Sequence, residues 1–443
     1  MLGKLEKLVQ GAVGVAMDKL MSSDRLVDAL AERLLEHEGF LKALKRKNGH
    51  DDFTVFSFRD VYKKRKVDGK EVYELDFQDP LAREICEGLG KTPGHLQLDK
   101  FADKTHLFTV GENVRKRDNY IIIDVDPEKD VDGEILRAMM LAGTLKSCHS
   151  GNVTGIFPNL DYSRQDQSYG KRQLITASFL ARLYREAGFN HIITIGLHAP
   201  QIEGFHKSID HIKTRPIFSH YITNVALNDM QQVVEFEVEF GTDGKKTYES
   251  DHAGKIQFLR ERAVYISPDA GGMRGVTELR RDTDPEGLMD IGFIQKERIG
   301  INTVAAGGKV VGDVRGKVAI LYDDIVDTGG SLFKAAKALK EAGALYVIAC
   351  VDHALGNSKP GEKSFEEQLA ESDIDELVVT NTKPEIYQRV MESPYLRQKT
   401  TVLSVGPILK EAILRDQSGD TIRDVVAQVG RENLYKILHK KGE

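Results

Sequence analysis

The stretch Lys317-Val318-Ala319-Ile320-Leu321-Tyr322-Asp323-Asp324-Ile325-Val326-Asp327-Thr328-Gly329-Gly330-Ser331 runs from an apolar strand into two adjacent acids, then a third acid, then a cluster of small residues. A helix is expected to follow, from Ser331 to Ala342. At the C-terminal end of a strand in an open α/β sheet, loop residues face a crevice. Small residues let backbone N–H groups close around a phosphate, and the following helix N-terminus adds partial positive charge. Thr328 and Ser331 add hydroxyl donors. Asp323 and Asp324 repel a phosphate; carboxylates instead accept hydrogen bonds from a vicinal diol or act through Mg²⁺. A phosphate cradle beside an acid pair fits a phosphorylated sugar. Asp-Thr-Gly alone would be a turn with a helix cap, but that reading leaves the acid pair and the strand unexplained.

Outward from this unit the chain keeps one rhythm. Strands are expected at Phe53–Phe58, Tyr120–Val125, Val153–Phe157 and His191–Ile195, with helices at Pro80–Leu89 and Gln173–Ala187. A second block repeats it, with strands at Ala263–Ser267, Lys317–Tyr322, Leu345–Val351 and Leu377–Thr380. Such alternation implies parallel sheets covered by helices, and two similar blocks imply a duplicated pair with a site in the crevice between them. Lys64–Glu74 is charged and reads as a hairpin or loop insertion. Val233–Phe240 alternates with period two before the turn Gly241-Thr242-Asp243-Gly244, so a β-hairpin is expected over 232–250. Leu5, Leu8, Val9, Ala12, Val13, Ala16 and Leu20 recur at helical spacing, a packing or oligomer arm. The expected organisation is a helical extension at 1–50, α/β domains at 51–220 and 261–430, a hairpin insertion at 221–260, and a solvated basic tail at 431–443.

Composition narrows the function. Across 443 residues, 41% are hydrophobic and 29% charged, which suits a globular protein with ample core. The net charge of -6 and the absence of a long basic run argue against nucleic acid as the main partner. The uncharged stretch Val9–Met17 is too short to span a bilayer, so no membrane segment is expected. Cys86, Cys148 and Cys350 match neither a zinc site nor a disulfide framework, and read as free thiols of a reducing cytoplasm.

Other segments carry their own chemistry. Arg164, in Asp161-Tyr162-Ser163-Arg164-Gln165-Asp166, offers a planar fork of donors for phosphate oxygens, and Gln165 a neutral donor. His198, just past a strand, can ligate a divalent ion or bond a phosphate. Asp269, with Gly271 and Gly272, can approach a sugar on a slim backbone or form a tight turn. Lys296 and Arg298 precede a stretch rich in small residues, either a solvated turn or a cationic flap. Phe101 can stack on a base while Asp103 accepts from its exocyclic amine.

The Asp323–Ser331 segment resembles the ribose-phosphate loop of the type I phosphoribosyltransferase fold. Together with Asp161–Asp166, Gly196–Phe205, Ser267–Gly272, Lys296-Glu297-Arg298 and Val378–Thr382, it resembles the motif set of the ribose-phosphate pyrophosphokinases over about residues 85–430. That resemblance implies an α/β fold of two pseudo-duplicated type I phosphoribosyltransferase-like domains. It implies transfer of pyrophosphate from ATP to the C1 hydroxyl of ribose 5-phosphate, with Mg²⁺. Asp269, Asp323, Asp324, Asp327, Thr328, Gly329, Gly330 and Ser331 would bind the ribose phosphate. Phe101, Asp103, Arg164, Gln165 and His198 would bind ATP. Lys296 and Arg298 would be catalytic, and His198 and Asp210 would serve the metal. The base site would be shared with a neighbouring subunit, implying a homo-oligomer, dimer or hexamer.

Three positions depart from the family pattern: Thr105 stands for a Glu, Gly196 for an Asp and Tyr169 for an acid. They bear on base recognition and metal binding. Rival readings are a pyrophosphokinase acting on a larger ribosyl acceptor such as ADP-ribose, a non-catalytic regulatory homologue, and a phosphoribosyltransferase. Lys296 and Arg298 ahead of the acid pair oppose the last two.

Overall fold

The computed structural model describes residues 53–442 apart from 68–69, 77, 127–128, 169, 241–250, 296–297, 301–302, 305–307, 384, 423–424 and 426–429. The helical extension expected at 1–50 therefore lies outside the described residues. Residues 54–416 and 420–443 form one compact unit.

β1 (Phe53–Ser57) leads into a hairpin of β2 (Val61–Val67) and β3 (Lys70–Asp76), paired antiparallel from Val61↔Asp76 to Val67↔Lys70. This is the hairpin expected from the charged 64–74 stretch. α1 (Pro80–Gly88) starts where the Asp79 carboxylate accepts the Ala82 N–H at 2.9 Å, and Pro80 occupies the first turn, where a missing N–H costs nothing. A second hairpin, β4 (Leu96–Lys100) and β5 (His106–Val110), carries Phe101 and Asp103 in its turn. Then follow β6 (Asp118–Ile122), α2 (Val131–Ser147), β7 (Val153–Phe157), α3 (Thr176–Ala187), β8 (His191–Ile195) and β9 (Ile209–Ile212). The first sheet has the order β1-β6-β7-β8-β9, parallel from β6 to β9. β7 is buried along its whole length, as expected of a strand covered on both faces.

The hairpin expected over 232–250 is not formed by its first half. α4 (Arg215–Tyr221) continues through a wide helical turn at Ile222–Ala226 into α5 (Leu227–Phe240). Leu227, Met230 and Val234 are all buried, at spacings of one helix face. Burial of that face outweighs the strand preference of the alternating residues after it. The turn at Gly241–Gly244 lies outside the described residues.

After α6 (His252–Arg262) comes the second sheet. Its strands are β10 (Ala263–Ser267), β11 (Asp290–Gln295), β14 (Lys309–Val311), β15 (Val318–Val326), β16 (Tyr346–Ala354), β17 (Glu376–Thr380), β18 (Thr400–Ser404) and β19 (Lys436–His439). β12 (Arg298–Gly300) and β13 (Thr303–Val304) form a separate two-stranded ribbon. The order of the large sheet is β14-β11-β10-β15-β16-β17-β18-β19, parallel except for antiparallel edges at β14 and β19. The 431–443 segment is thus not a free tail. Lys436–His439 carries Ile437 and Leu438 within its basic residues, and it closes the edge of β18. α7 (Met273–Thr283) packs beside β10 and β15, and α8 (Gly330–Glu341) beside β16 and β14. Each sheet has its own buried apolar cluster, around Ile121, Leu141 and Phe157 in the first and Ile320's neighbours Ala319 and Leu321, with Val347, in the second.

Candidate functional site

β15 is buried from Val318 to Tyr322; its pairing with β10 ends at Leu321 while that with β16 runs on to Val326, so Asp323, Asp324 and Ile325 are half-buried on the part of the strand that extends past β10. The acid pair therefore sits on the strand itself rather than in the loop after it. The loop closes at Gly329, whose φ of 75° is left-handed and whose added Cβ would lie 2.3 Å from the Phe333 ring. Only glycine turns the chain into α8 there without displacing that ring.

A cavity of about 250 Å³ is lined by Asp323 to Leu332 together with Arg164, His198, Pro268 and Asp269. Arg164 and His198 come from the first sheet's loops, Asp269 from the end of β10. His198 Nδ1 lies 2.6 Å from Asp324 Oδ2, and Arg164 Nη1 donates to Asp327 Oδ2 at 3.1 Å. Asn357 Nδ2 donates to the other Asp327 oxygen at 2.8 Å. Asp269 Oδ1 accepts the Gly271 and Gly272 N–H groups at 2.9 and 3.1 Å, so its glycines form the tight turn and hold the carboxylate at the cavity.

The electrostatics of the acid pair are asymmetric. Burial and the Asp324 charge push Asp323 up to about 8. Burial acts on Asp324 too, but the His198 hydrogen bond and charge outweigh it and hold that carboxyl below its ordinary value. The same hydrogen bond raises His198, against its burial. Near neutral pH the pair offers one ionised acceptor and one carboxylic acid that can donate, a set suited to two adjacent hydroxyls.

His198 is also held from behind. Leu197 N–H donates to His211 Nε2 at 3.0 Å, which leaves the ring proton on Nδ1, 3.2 Å from Glu203 Oε1. Burial lowers His211 to about 4, in keeping with that neutral tautomer. The Gly196 carbonyl lies 2.9 Å from His353 Nε2, and Gly196 has φ 55°. A Cβ at 196 would fall 2.8 Å from both Asp352 Oδ2 and His353 Nε2. Here Asp352 of the second sheet occupies the space a side chain at 196 would need. His211, Asp352 and His353 were missed by sequence reasoning, since nothing near them in the chain marks them.

Several expected residues are elsewhere. Asp210 lies in β9 opposite Ile193, with Oδ2 3.1 Å from Nε2 of His191, the first residue of β8. His198 follows the other end of that strand, so the structure does not bring Asp210 to it. Gln165 lines a neighbouring cavity with Arg164, Asp161 and Ile325, and its Oε1 accepts from the Thr176 hydroxyl at 2.5 Å. Phe101, 55% exposed, and Asp103 stand on the β4–β5 turn and do not line the cavity. Thr105 donates its N–H and its hydroxyl to Asp103 Oδ1 at 3.0 and 2.7 Å. Lys296 and Tyr169 lie outside the described residues, and Arg298 opens β12.

Among the described residues no three His, Cys, Asp or Glu side chains converge as a self-sufficient metal cage. Asp269, Asp323 and Asp324 with His198 around one cavity fit a different arrangement, a Mg²⁺ held by one or two carboxylates and by substrate phosphates.

Known proteins share this plan. A model of the N-terminal domain of ribose phosphate pyrophosphokinase matches residues 71–188, and one of the phosphoribosyl synthetase-associated domain matches 301–425. The chain is 32% identical over 346 residues to the ribose-phosphate pyrophosphokinase of Oceanobacillus iheyensis, covering 78% of this chain and 93% of that protein. It is 31% identical over 343 residues to ribose-phosphate pyrophosphokinase 4 of Saccharomyces cerevisiae, covering 77% and 90%. The crystal structure of phosphoribosylpyrophosphate synthetase from Mycobacterium smegmatis superposes with a TM-score of 0.63 at 25% identity, over 83% of this chain and 100% of that one. The α/β fold is of the type I phosphoribosyltransferase kind, as expected. Similarity this high along nearly the whole length of those relatives means that the chain belongs to the ribose-phosphate pyrophosphokinase family of enzymes.

Proposed function

We propose that this enzyme transfers the pyrophosphoryl group of ATP to the C1 hydroxyl of ribose 5-phosphate, giving phosphoribosyl pyrophosphate and AMP. One observation carries the reading: the Asp323–Leu332 segment, Asp269, Arg164 and His198 line a single cavity although they come from two sheets. A sugar-phosphate cradle and a phosphate-gripping arginine thereby face the same space.

The backbone N–H groups and hydroxyls of Asp327 to Ser331 hold the 5-phosphate at the start of α8. Asp323, Asp324 and Asp269 bind the ribose hydroxyls and aim C1 at the nucleotide. Arg164, Gln165 and His198 take the triphosphate. Arg164 rests on Asp327 in this structure, so triphosphate binding exchanges one anionic partner for another. Bound Mg²⁺ would neutralise charge on the phosphate oxygens, with His198 and the carboxylates around it as its neighbours. Lys296 and Arg298 close over the donor and stabilise charge on the bridging oxygen as AMP leaves, while closure expels water that would compete as acceptor. The C1 oxygen attacks the β-phosphorus directly, and alignment and charge neutralisation supply the rate.

Phe101 and Asp103 are exposed on a hairpin turn, which suits a base site completed on another copy of the chain and hence a homo-oligomer. The three cysteines are free thiols, two of them buried, which suits the reducing cytoplasm. Among the described residues no helix is long and apolar enough to cross a membrane.

Incubating the full-length protein with ATP, Mg²⁺ and either ribose 5-phosphate or ADP-ribose, and weighing the products by mass spectrometry, tests the assignment. Phosphoribosyl pyrophosphate with equimolar AMP is expected from the first acceptor. Product from ADP-ribose alone would shift the assignment to a larger acceptor, and none from either would leave a regulatory homologue.

A further inference from the structure

Lys383 is 2% exposed, and its ammonium reaches from the turn after β17 into the first sheet's side of the site. Its Nζ donates to the Val125 carbonyl at 2.7 Å and to Asp161 Oδ1 at 3.2 Å. Asp161 opens the loop that carries Arg164, and its Oδ1 also accepts from Asn159 Nδ2 at 3.3 Å. A buried ammonium is costly to desolvate, and a hydrophobic side chain of similar length would hold two sheets together at less cost. What the lysine adds is a directed bond at the root of one loop.

The same turn reaches a second loop. Thr382 Oγ1 lies 2.8 Å from His353 Nδ1, and His353 Nε2 lies 2.9 Å from the Gly196 carbonyl, two residues before His198. The carbonyl requires a donor at Nε2, so Nδ1 accepts from the threonine hydroxyl. Adjacent residues of one turn, Thr382 and Lys383, thus set the height of both first-sheet loops that face the Asp323–Ser331 cradle. The 161–166 loop is pinned at its far side too, by Tyr162 to Asp132 and by Gln201 to Asp166. Moving its root would swing Arg164 relative to Asp327, its present partner at 3.1 Å.

We propose that Lys383 is a positioning residue: it fixes the root of the 161–166 loop against the second sheet so that Arg164 meets the triphosphate of the nucleotide. The inference rests on the assignment of Arg164 to those phosphates.

The experiment is a double-mutant cycle of Lys383→Met and Arg164→Ala in the full-length enzyme, reading KM for Mg-ATP and for ribose 5-phosphate. Lys383→Met is expected to raise KM for ATP about tenfold and to leave KM for ribose 5-phosphate within about twofold. In the Arg164→Ala background the same change should add less than about twofold, because its effect passes through Arg164. Lys383→Arg should recover part of the loss. Equal increases in both KM values, full additivity with Arg164→Ala, or a lowered Tm with unchanged KM values would each make Lys383 mere cement and overturn the proposal. If Arg164→Ala alone leaves KM for ATP unchanged, the arginine assignment itself has failed and the proposal falls with it. Should Lys383→Met not fold, Asp161→Asn keeps the lysine and the volume and is put through the same cycle with the same expected and opposing results.

Discussion

The imidazole of His198 and the carboxylate of Asp324 meet at 2.6 Å although one follows β8 and the other lies near the end of β15, 126 residues later. The pair joins the two sheets at the cavity and fixes which of the two adjacent acids is ionised. Replacing Asp324 by Asn removes the charged acceptor and frees His198 from its raised state. Turnover should fall roughly a hundredfold, in line with loss of a charge-assisted contact that aligns reacting groups. His198→Ala should cost a similar factor, and the double variant little more than the worse single one, because the two act as a unit. Steady-state kinetics on the four proteins checks this; strict additivity would mean the pair does not function together.

Gly329 and Gly330 are adjacent but predict different outcomes. Gly329→Ala forces a left-handed φ on alanine and drives a methyl group into Phe333, which itself packs on Phe365. A stability loss of about 1–3 kcal/mol in urea unfolding is expected, with a higher KM for ribose 5-phosphate. Gly330→Ala meets nothing nearer than the Thr328 hydroxyl at 4.0 Å, and should leave stability unchanged.

Lys296 lies outside the described residues, and its assignment is a kinetic one. Lys296→Ala should keep ATP affinity, measured by calorimetry, and lose turnover by about two to three orders of magnitude, as removal of a group acting mainly in the transition state does. Unchanged turnover would remove the flap from the mechanism.

The strand–acids–cradle–helix unit at 317–331 was legible because every element of it is local: an apolar run, a carboxylate pair, small residues, a helix start. The alternating blocks were legible for the same reason. Val233–Phe240 reads as a hairpin strand because its own alternation is a strand pattern, while the face that decides its structure, Leu227, Met230 and Val234, begins upstream and becomes visible only once it is buried. The family resemblance assigns Asp210 to the metal; the parallel register of β8 and β9 puts it beside His191 instead. His353, Asp352 and Lys383 gave no signal, since each acts on a residue more than a hundred positions away. Sequence spacing carries little information about contacts between two sheets.

His353 makes part of the stability depend on pH. Burial lowers it to about 4 in the folded protein, against an ordinary value near 6.5. Between these values the unfolded chain binds a proton that the folded one refuses, so stability rises with pH through this window. The contribution is complete above about pH 6.5 and is lost as pH falls toward 4, by roughly 3 kcal/mol from this group at 1.36 kcal/mol per unit. Urea unfolding at intervals from pH 4 to 7.5 should show that acid limb. His353→Gln, which can donate one bond and accept another without titrating, should make that limb shallower, with His206 and His211, also lowered to about 4 by burial, supplying the rest.

Arg59 poses the sharpest test of how the two halves are joined. Its Nη1 lies 2.6 Å from Asp124 Oδ2 and 2.8 Å from Glu385 Oε1, and its Nη2 is 3.0 Å from Asp126 Oδ2. The two aspartates follow β6 of the first sheet, whereas Glu385 follows the Thr380–Lys383 turn of the second. Burial, and then the Glu385 charge, hold Asp124 well above the usual carboxylate range, against the opposing pull of Lys383 and of Arg59. Arg59→Met would leave Asp124 and Glu385 without their shared cation, while Asp126 keeps Lys129 at 3.0 Å, and removing one partner from such a cluster costs about 3–5 kcal/mol. The loss should be smaller at pH 5.5 than at pH 7.5, because the acids left behind can take up protons. Arg59→Lys should recover only part of it, since one ammonium cannot present the forked geometry that reaches all three. A loss below about 1 kcal/mol, independent of pH, would mean that packing rather than this charge cluster holds the halves together.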